Sequence, residues 1–415
     1  MKNPIFDLEN WREIGATLSR NKTRTFLTAF GIFWGTAMLA MLWGGASGLE
    51  GIMKRNFNGF DTNMGGIFGG RTTMSYKGYN KGMRINLTYA DIEGIRSKAP
   101  YIEASSVIDS YYGNIAYGTK TKSFNIMGVE HDFCKIQIPV MYSGRFINET
   151  DDYGTRKIAV LGKNVAYSLF GNDKALGKYV SINGVYFMVV GVAGQKSEAS
   201  IGGKLDDSVI IPSSTFRRAF NQGNLVGFFI FTAQQGHDPG EIKPYIDRVM
   251  RSNHPIHPND ENALQMMNMA ENFRMIDNLF LGISLLALFV GAGTLMAGII
   301  GVGNIMWIIV KERTQEIGIR RAIGAKPRDI IVQILSEGMV LTAIAGTMGV
   351  CFATIVLGIV DYATFDPVLG SAHFELSLTH AIAIMVVFMI LGTAAGLIPA
   401  IKAMKIKPIE AMRDK

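Results

Sequence analysis

Cysteine is nearly absent from this chain: two in 415 residues, Cys134 and Cys351. Cys351 falls inside an apolar run and Cys134 in a segment of mixed polarity. They are not expected to pair, and a disulfide framework is excluded. Nucleotide-binding and hydrolytic signatures are also missing. No G-x-x-x-x-G-K-[ST] occurs, because the Gly-Lys pairs at Gly162, Gly177 and Gly203 are followed by Asn164, Tyr179 and Leu205. Neither G-x-S-x-G nor H-E-x-x-H is present, so no catalytic site is expected and no cofactor is expected on this chain. Charge is scarce at 18%, while apolar residues make up 48% and the mean hydropathy is +0.20. An ordinary soluble domain does not read this way.

The apolar excess is concentrated in four stretches, 25–46, 279–310, 330–360 and 381–400. Each reaches the roughly 20 residues that cross a hydrocarbon core about 30 Å thick, and each is expected to span a membrane. The first is longer than the apolar core of a secretory signal and follows residues that read as structured, so it is expected to be retained. The net charge of +7 does not point to nucleic acid, because the cations sit beside the spans. Lys2, Arg12, Arg20, Lys22 and Arg24 precede the first. Lys311, Arg313, Arg320, Arg321, Lys326 and Arg328 lie between the second and third. Lys402, Lys405, Lys407, Arg413 and Lys415 follow the fourth, whereas 361–380 holds no Lys or Arg. The positive-inside rule then places both termini, the loop 311–329 and the tail 401–415 in the cytoplasm. It places the long segment 47–278 and the short loop 361–380 outside.

Ahead of the first span, within 1–24, Leu8, Trp11, Ile14 and Leu18 recur at helical spacing. This predicts an amphipathic helix lying in the membrane interface or on another protein. The outer segment 47–278 reads as mixed α/β. Thr88 caps a helix that turns Ile92 and Ile95 inward, and Asn183-Gly184 marks a hairpin. "SVIIPSSTFRRAF" reads as a strand, a serine cap and a helix. "PGEIKPYIDRVMRS" is a helix with Ile242, Ile246 and Val249 on one face. The alternation predicts two lobes, a strand-rich one near 131–215 being inserted into the other. The glycine-rich segment 59–82 lacks the order of a phosphate loop and is expected to be a mobile linker or irregular strand. His254 and His257, flanked by prolines, are expected to be solvated rather than to bind metal.

Within the spans, 279–310 would be about 48 Å long at 1.5 Å per residue. It either tilts strongly or extends as a stalk beyond the bilayer. Small residues recur four apart at Gly293, Ala297 and Gly301, and at Gly392, Gly396 and Ala400. Such faces permit close helix packing, within one subunit or between two. Glu337 is an acid near the cytoplasmic end of the third span. It is expected to bond a neighbouring helix or the basic loop, with a proton or ion relay as the alternative. Pro399 marks a kink or exit.

The stretch "KERTQEIGIRRAIGAKPRDI" opens on that loop. Glu312, Glu316 and Arg320 fall at helical spacing, as do Arg313, Ile317 and Arg321, so charges can pair along a short helix. Ile317 and Ile319 add apolar bulk, Gly324 fits the helix end, and Pro327 opens the next helix. The surface suits anionic lipid or a docking protein.

These residues carry a family resemblance. "VGNIMWIIVKERTQEIGIRRAIGAKPRDIIVQILSEGMVL" resembles the second span, loop and third span of MacB/FtsX-type ABC transporter permeases. "WREIGATLSRNKTRTFLTAFGIFWG" is similar to their first span and "GLIPAIKAMKIKPIEAMR" to their end. "GRFINETDD", "KIAVLGKNVAYSLFG" and "DDSVIIPSSTF" resemble the MacB-like periplasmic core domain. The resemblance implies a multi-pass protein of the bacterial inner membrane and a second permease copy, homo- or heterodimeric. It also implies a dimer of cytoplasmic ABC ATPases carrying ATP and Mg. Because the sequence starts at the first span's elbow, the ATPase is expected on a separate polypeptide. The coupling surface is carried over to Arg313, Glu316, Ile317, Arg320, Arg321, Ala322, Gly324 and Ala325. Mechanotransmission, in which ATP hydrolysis moves the periplasmic domains, is the expected mechanism. A periplasmic adaptor and an outer-membrane channel are expected partners in efflux of peptides or antibiotics. Lipoprotein extraction and activation of a cell-wall hydrolase are the alternatives.

Overall fold

The computed structural model describes residues 22–367 and 369–404. The expected interfacial helix bearing Leu8, Trp11, Ile14 and Leu18, and most of the C-terminal tail, lie outside the described residues. The chain divides into two compact units, Met1–Ile52 with Asn278–Lys415, and Met53–Asp277.

In chain order the elements are helix α1 (Lys22–Arg55), strands β1 (Met64–Gly69) and β2 (Leu87–Thr88), and helix α2 (Tyr89–Lys98). Strands β3 (Ile102–Tyr117) and β4 (Lys120–Val129), the short helix α3 (Phe133–Ile136), β5 (Val140–Gly144) and α4 (Glu149–Tyr153) follow. Then come β6 (Ile158–Gly162), α5 (Lys163–Phe170), β7 (Tyr179–Ile182), β8 (Val185–Gly194), β9 (Ser208–Pro212) and α6 (Ser213–Phe220). Strands β10 (Leu225–Val226) and β11 (Phe228–Ala233), helix α7 (Lys243–Asn253) and β12 (Leu264–Asn268) complete this part. Four helices follow: α8 (Met269–Glu312), α9 (Thr314–Ala322), α10 (Pro327–Ala363) and α11 (Leu378–Met404).

Among the described residues four helices are long and apolar enough to cross a membrane: α1, α8, α10 and α11. Each outruns its apolar stretch. Helix α8 starts at Met269, ahead of the apolar run at 279, and its 44 residues measure about 66 Å. Pro399 lies inside α11, which continues past it to Met404, so it marks no exit. Ile32 and Leu39 of α1 pack with Val302 and Met306 of α8, Ile334 of α10 and Phe388 of α11 in one buried cluster. A Cβ on Gly349 would meet Thr36 and the Phe33 carbonyl, so this glycine lets α10 approach the α1 backbone. Along α1, Gly44, Gly48 and Gly51 face Leu357, Phe374 and the carbonyl of Ala372, and thereby seat the loop 364–377.

In the second unit a ten-stranded sheet runs in the order β12-β1-β11-β3-β4-β9-β6-β8-β5, with β7 pairing β3 and β8. The segment 131–215 supplies β5 to β9 and joins through β9, parallel to β4, and through β7 against β3. The two lobes therefore share one sheet, and a buried cluster joining Met64 and Ile108 to Phe133, Val160 and Ile210 runs across both, with a further cluster at either end. In one, Ile92 and Ile95 of α2 and Ile246 and Val249 of α7 pack on Phe229 and Phe231. Burying each isoleucine is worth about 2 kcal/mol. In the other, Val165 and Leu169 of α5 and Phe216 of α6 cover Val189, Val209 and Ile211.

Local chemistry explains several elements. Thr88 and Asp91 form a reciprocal capping box at the start of α2. Asn183 and Gly184 take φ of 48° and 88° and join β7 to β8 as a two-residue turn. One expectation is corrected and one is narrowed. Ser213 does not cap α6: Pro212 is the N-cap, and the Ser213 hydroxyl bonds Tyr89 Oη at 2.5 Å. Where 59–82 is open in sequence to a mobile linker or an irregular strand, Met64–Gly69 forms β1, a regular antiparallel strand between β11 and β12. Its glycines are needed for close approach, since a Cβ on Gly65 would meet the Phe231 ring and one on Gly69 the Ile85 carbonyl.

Candidate coupling site

Helix α8 ends where charge begins. Arg313 (φ −98°, ψ 13°) leaves the helical region, and α9 restarts at Thr314. The Thr314 hydroxyl donates to the carbonyls of Val310 and Lys311 at 3.1 and 2.8 Å. This satisfies acceptors that the broken helix exposes. Helix α9 closes at Ile323, and Gly324 follows with φ +104°, a left-handed conformation that glycine adopts without steric cost. Lys326 then caps α10, with Pro327 in its first turn.

Polar contacts run along α9 and from it to α10. Arg313 donates to Glu337 of α10 at 2.9 Å, Arg320 pairs with Glu316 at 2.8 Å, and Arg320 donates to Gln333 Oε1 at 2.9 Å. Glu337 is 1% exposed, so this carboxylate sits among apolar helices and its charge is met by the guanidinium. Ile317 packs inward with Val310, Ile330 and Ile334. The sequence offers both Ile317 and Ile319 as apolar bulk on this helix. The helix phase turns Ile317 in and leaves Ile319 44% and Ile323 83% exposed. Glu316, Ala322 and Gly324 are exposed, while Arg320, Arg321 and Ala325 are half-buried. The outward surface of α9 is thus two isoleucines inside a charged rim.

Ile323 and Gln333 were not anticipated. Ile323 carried a weak signal, an apolar residue directly before a helix-ending glycine. Gln333 carried none, being an amide among apolar neighbours.

The small-residue faces divide. Gly392 and Gly396 of α11 are buried against Thr342 and Leu335 of α10 and serve packing within the subunit. Ala400 is buried too. Gly293 and Ala297 of α8 are exposed, and Gly293 has no neighbour within 4 Å, whereas Gly301 lies against Thr28 of α1. His254 bonds Asp91 at 2.8 Å and is a structural residue of the outer unit rather than a solvated one. Among the described residues no group of three or more His, Cys, Asp or Glu could hold a metal ion.

The profile of the MacB-like periplasmic core domain matches residues 25–249, more than half of the sequence. The chain belongs to this family. The profile of the FtsX-like permease C-terminal region matches residues 275–408, which include α9 and its neighbours, so the MacB/FtsX-type permease layout covers both units. A macrolide export ATP-binding/permease protein MacB of Bdellovibrio bacteriovorus is 28% identical over 96% of this chain and 60% of its own length. The protein of the same description from Chlorobium phaeobacteroides is 31% identical over 95% of this chain and 59% of its own. The chain thus spans about 60% of the length of these relatives. The periplasmic region of MacB from Actinobacillus actinomycetemcomitans superposes with a TM-score of 0.43 at 21% identity, covering 54% of this chain and 96% of that one. In this MacB-like chain, four candidate membrane helices flank a mixed α/β domain inserted after the first of them.

Proposed function

We propose that this chain is the permease subunit of a MacB-like efflux transporter, energised by an ABC ATPase on a separate polypeptide. Two copies, identical or paired with a sister permease, form the membrane unit in the bacterial inner membrane. The termini and α9 face the cytoplasm, and the Met53–Asp277 unit faces the periplasm. Helix α9 docks on the ATPase, which holds ATP and Mg. Nucleotide-driven closure of the ATPases pulls on α9, moves α8 and α10 with it, and displaces the periplasmic domains. The work is done outside the bilayer, on peptides, antibiotics or similar molecules handed to an adaptor and an outer-membrane channel. The names of the relatives support export. The observation that carries the coupling role is the outward pair Ile319 and Ile323 on a short helix bonded to α10 through Arg313 and Glu337.

The experiment is purification of the tagged chain from native membranes in mild detergent. A stoichiometric ABC ATPase is expected in the complex, with activity lost on Gly324→Pro while the permease stays inserted. Recovery of the permease without any ATPase, or activity indifferent to that substitution, would overturn the proposal.

A further inference from the structure

Between β1 and β2 the sequence runs from 62 to 90 without an acidic residue, yet holds Arg71, Lys77, Lys81 and Arg84. The structure makes an arm of this stretch. Arg71 bridges Arg84 at its base and Tyr76 bridges Tyr79 at its tip. The Tyr76 and Tyr79 amides each donate to the other's carbonyl, at 3.0 and 2.9 Å. Lys77 and Gly78 between them take φ of 48° and 83°, the signature of a tight two-residue turn.

The arm is fixed by its own domain. Asp260, 1% exposed, accepts from the Thr73 amide at 2.7 Å, the Thr73 hydroxyl at 2.8 Å and the Met74 amide at 3.1 Å. Arg251 in turn donates to the carbonyls of Asp260 and His257, and the His257 ring stands edge-on to Tyr76 at 5.4 Å. The pKa of the Asp260 carboxyl is lowered from its ordinary value. Burial opposes this, and the bonds from Thr73, Met74 and Asn262 outweigh it.

The four cations are not used to hold the arm together by ion pairing. None of them has a carboxylate partner among the described residues. All four are exposed, as are Met74 at 42% and Tyr79 at 52%. Four like charges on one short arm repel one another and stay solvated unless an opposite surface meets them. Arg, Tyr and Met on a backbone already ordered are the residues enriched at protein interfaces, and a fixed arm loses little entropy on docking.

We propose that the arm 71–84 is a docking surface for an acidic face of a protein partner. Anionic lipid is the lesser fit. A bilayer binder needs a broad apolar face to insert, and here only Met74 and Tyr79 supply one.

The test uses the full chain in detergent. The probes are a fluorescent 20-residue glutamate-rich peptide, its glutamine counterpart, and phosphatidylglycerol vesicles with the chain in nanodiscs. Wild type is expected to bind the glutamate peptide in a salt-dependent way and to ignore the glutamine peptide. Replacing Arg71, Lys77, Lys81 and Arg84 by serine together is expected to weaken that binding about tenfold or more. Lys77→Glu with Lys81→Glu, which alters only exposed positions near the tip, is expected to weaken it further per residue changed. Lys311→Ser with Lys326→Ser, on the basic loop, is expected to leave it unchanged. Peptide binding equal in the arm variants and wild type would overturn the proposal. So would an arm-dependent loss seen on the vesicles but not on the peptide.

Discussion

Arg313, the residue that separates α8 from α9, donates to Glu337 on α10 across 2.9 Å, and Glu337 is almost wholly buried. The bond ties the start of α9 to α10, the candidate membrane helix that follows it. The charge pair lies in a low-dielectric setting, where loss of one partner is costly. Arg313→Ala and Glu337→Gln are each expected to lower thermal stability in detergent, by an amount on the order of 3 kcal/mol for the more damaging change. The double variant is expected to lose less than the sum, with a coupling energy above about 1 kcal/mol. Strict additivity in the melting measurements would show that the pair does not act as a unit.

The two sides of α9 are expected to separate in function. Ile319→Asp and Ile323→Asp place charge on exposed positions, so the chain should insert and melt as wild type while ATPase stimulation falls sharply. Ile317→Asp puts a carboxylate into the cluster with Ile330 and Ile334 and is expected to lower stability by several kcal/mol. Equal loss of stability in all three would contradict the helix phase described above.

Gly392→Leu must fit a side chain where a Cβ already meets Thr342 Oγ1 at 2.7 Å, and is expected to cost about 1–3 kcal/mol. Gly293→Leu has open space and should leave the melting of the single chain unchanged. If α8 packs on a second copy, the same substitution will reduce the dimer fraction seen by light scattering. Comparable destabilisation by both changes would mean that the two glycine faces are not distinguished by packing.

Acid should loosen the outer unit through Asp91. Burial raises its pKa, but hydrogen bonds from His254, Asn253 and Thr88 outweigh that and hold it at about 2, against 3.8 for an unperturbed group. The folded value lies below the unfolded one. The stabilisation is therefore complete above about pH 4 and is lost as pH falls towards 2, by about 2 kcal/mol in total. Asp91→Asn is expected to flatten stability over that window, as followed by melting of the full chain at a series of pH values. A pH profile identical to wild type would exclude Asp91 as a contributor.

Much of the architecture was legible because its signals are local. Apolar length marks the four candidate membrane helices, since a bilayer demands it whatever the neighbours are. Thr88 with Asp91, Asn183 with Gly184, and Gly324 ahead of Pro327 announce a helix start, a turn and a helix end through their own backbone chemistry. Segment 59–82 stays open in sequence between linker and irregular strand because its glycines read as flexibility. In the sheet they are what allows Phe231 and the Ile85 carbonyl to come close, and those neighbours are far along the chain.

By itself the sequence determined where the chain is apolar enough to span, where it turns, and that a short charged helix separates two long ones. Only the tertiary structure decided which side of each helix faces what. Ile317 went in and Ile323 out, Gly392 met Thr342 while Gly293 met nothing, and Glu337 found Arg313. The reason is physical: helical periodicity fixes relative positions on one cylinder. The cylinder's rotation is fixed by partners elsewhere in the chain, where packing and charge neutralisation are satisfied together.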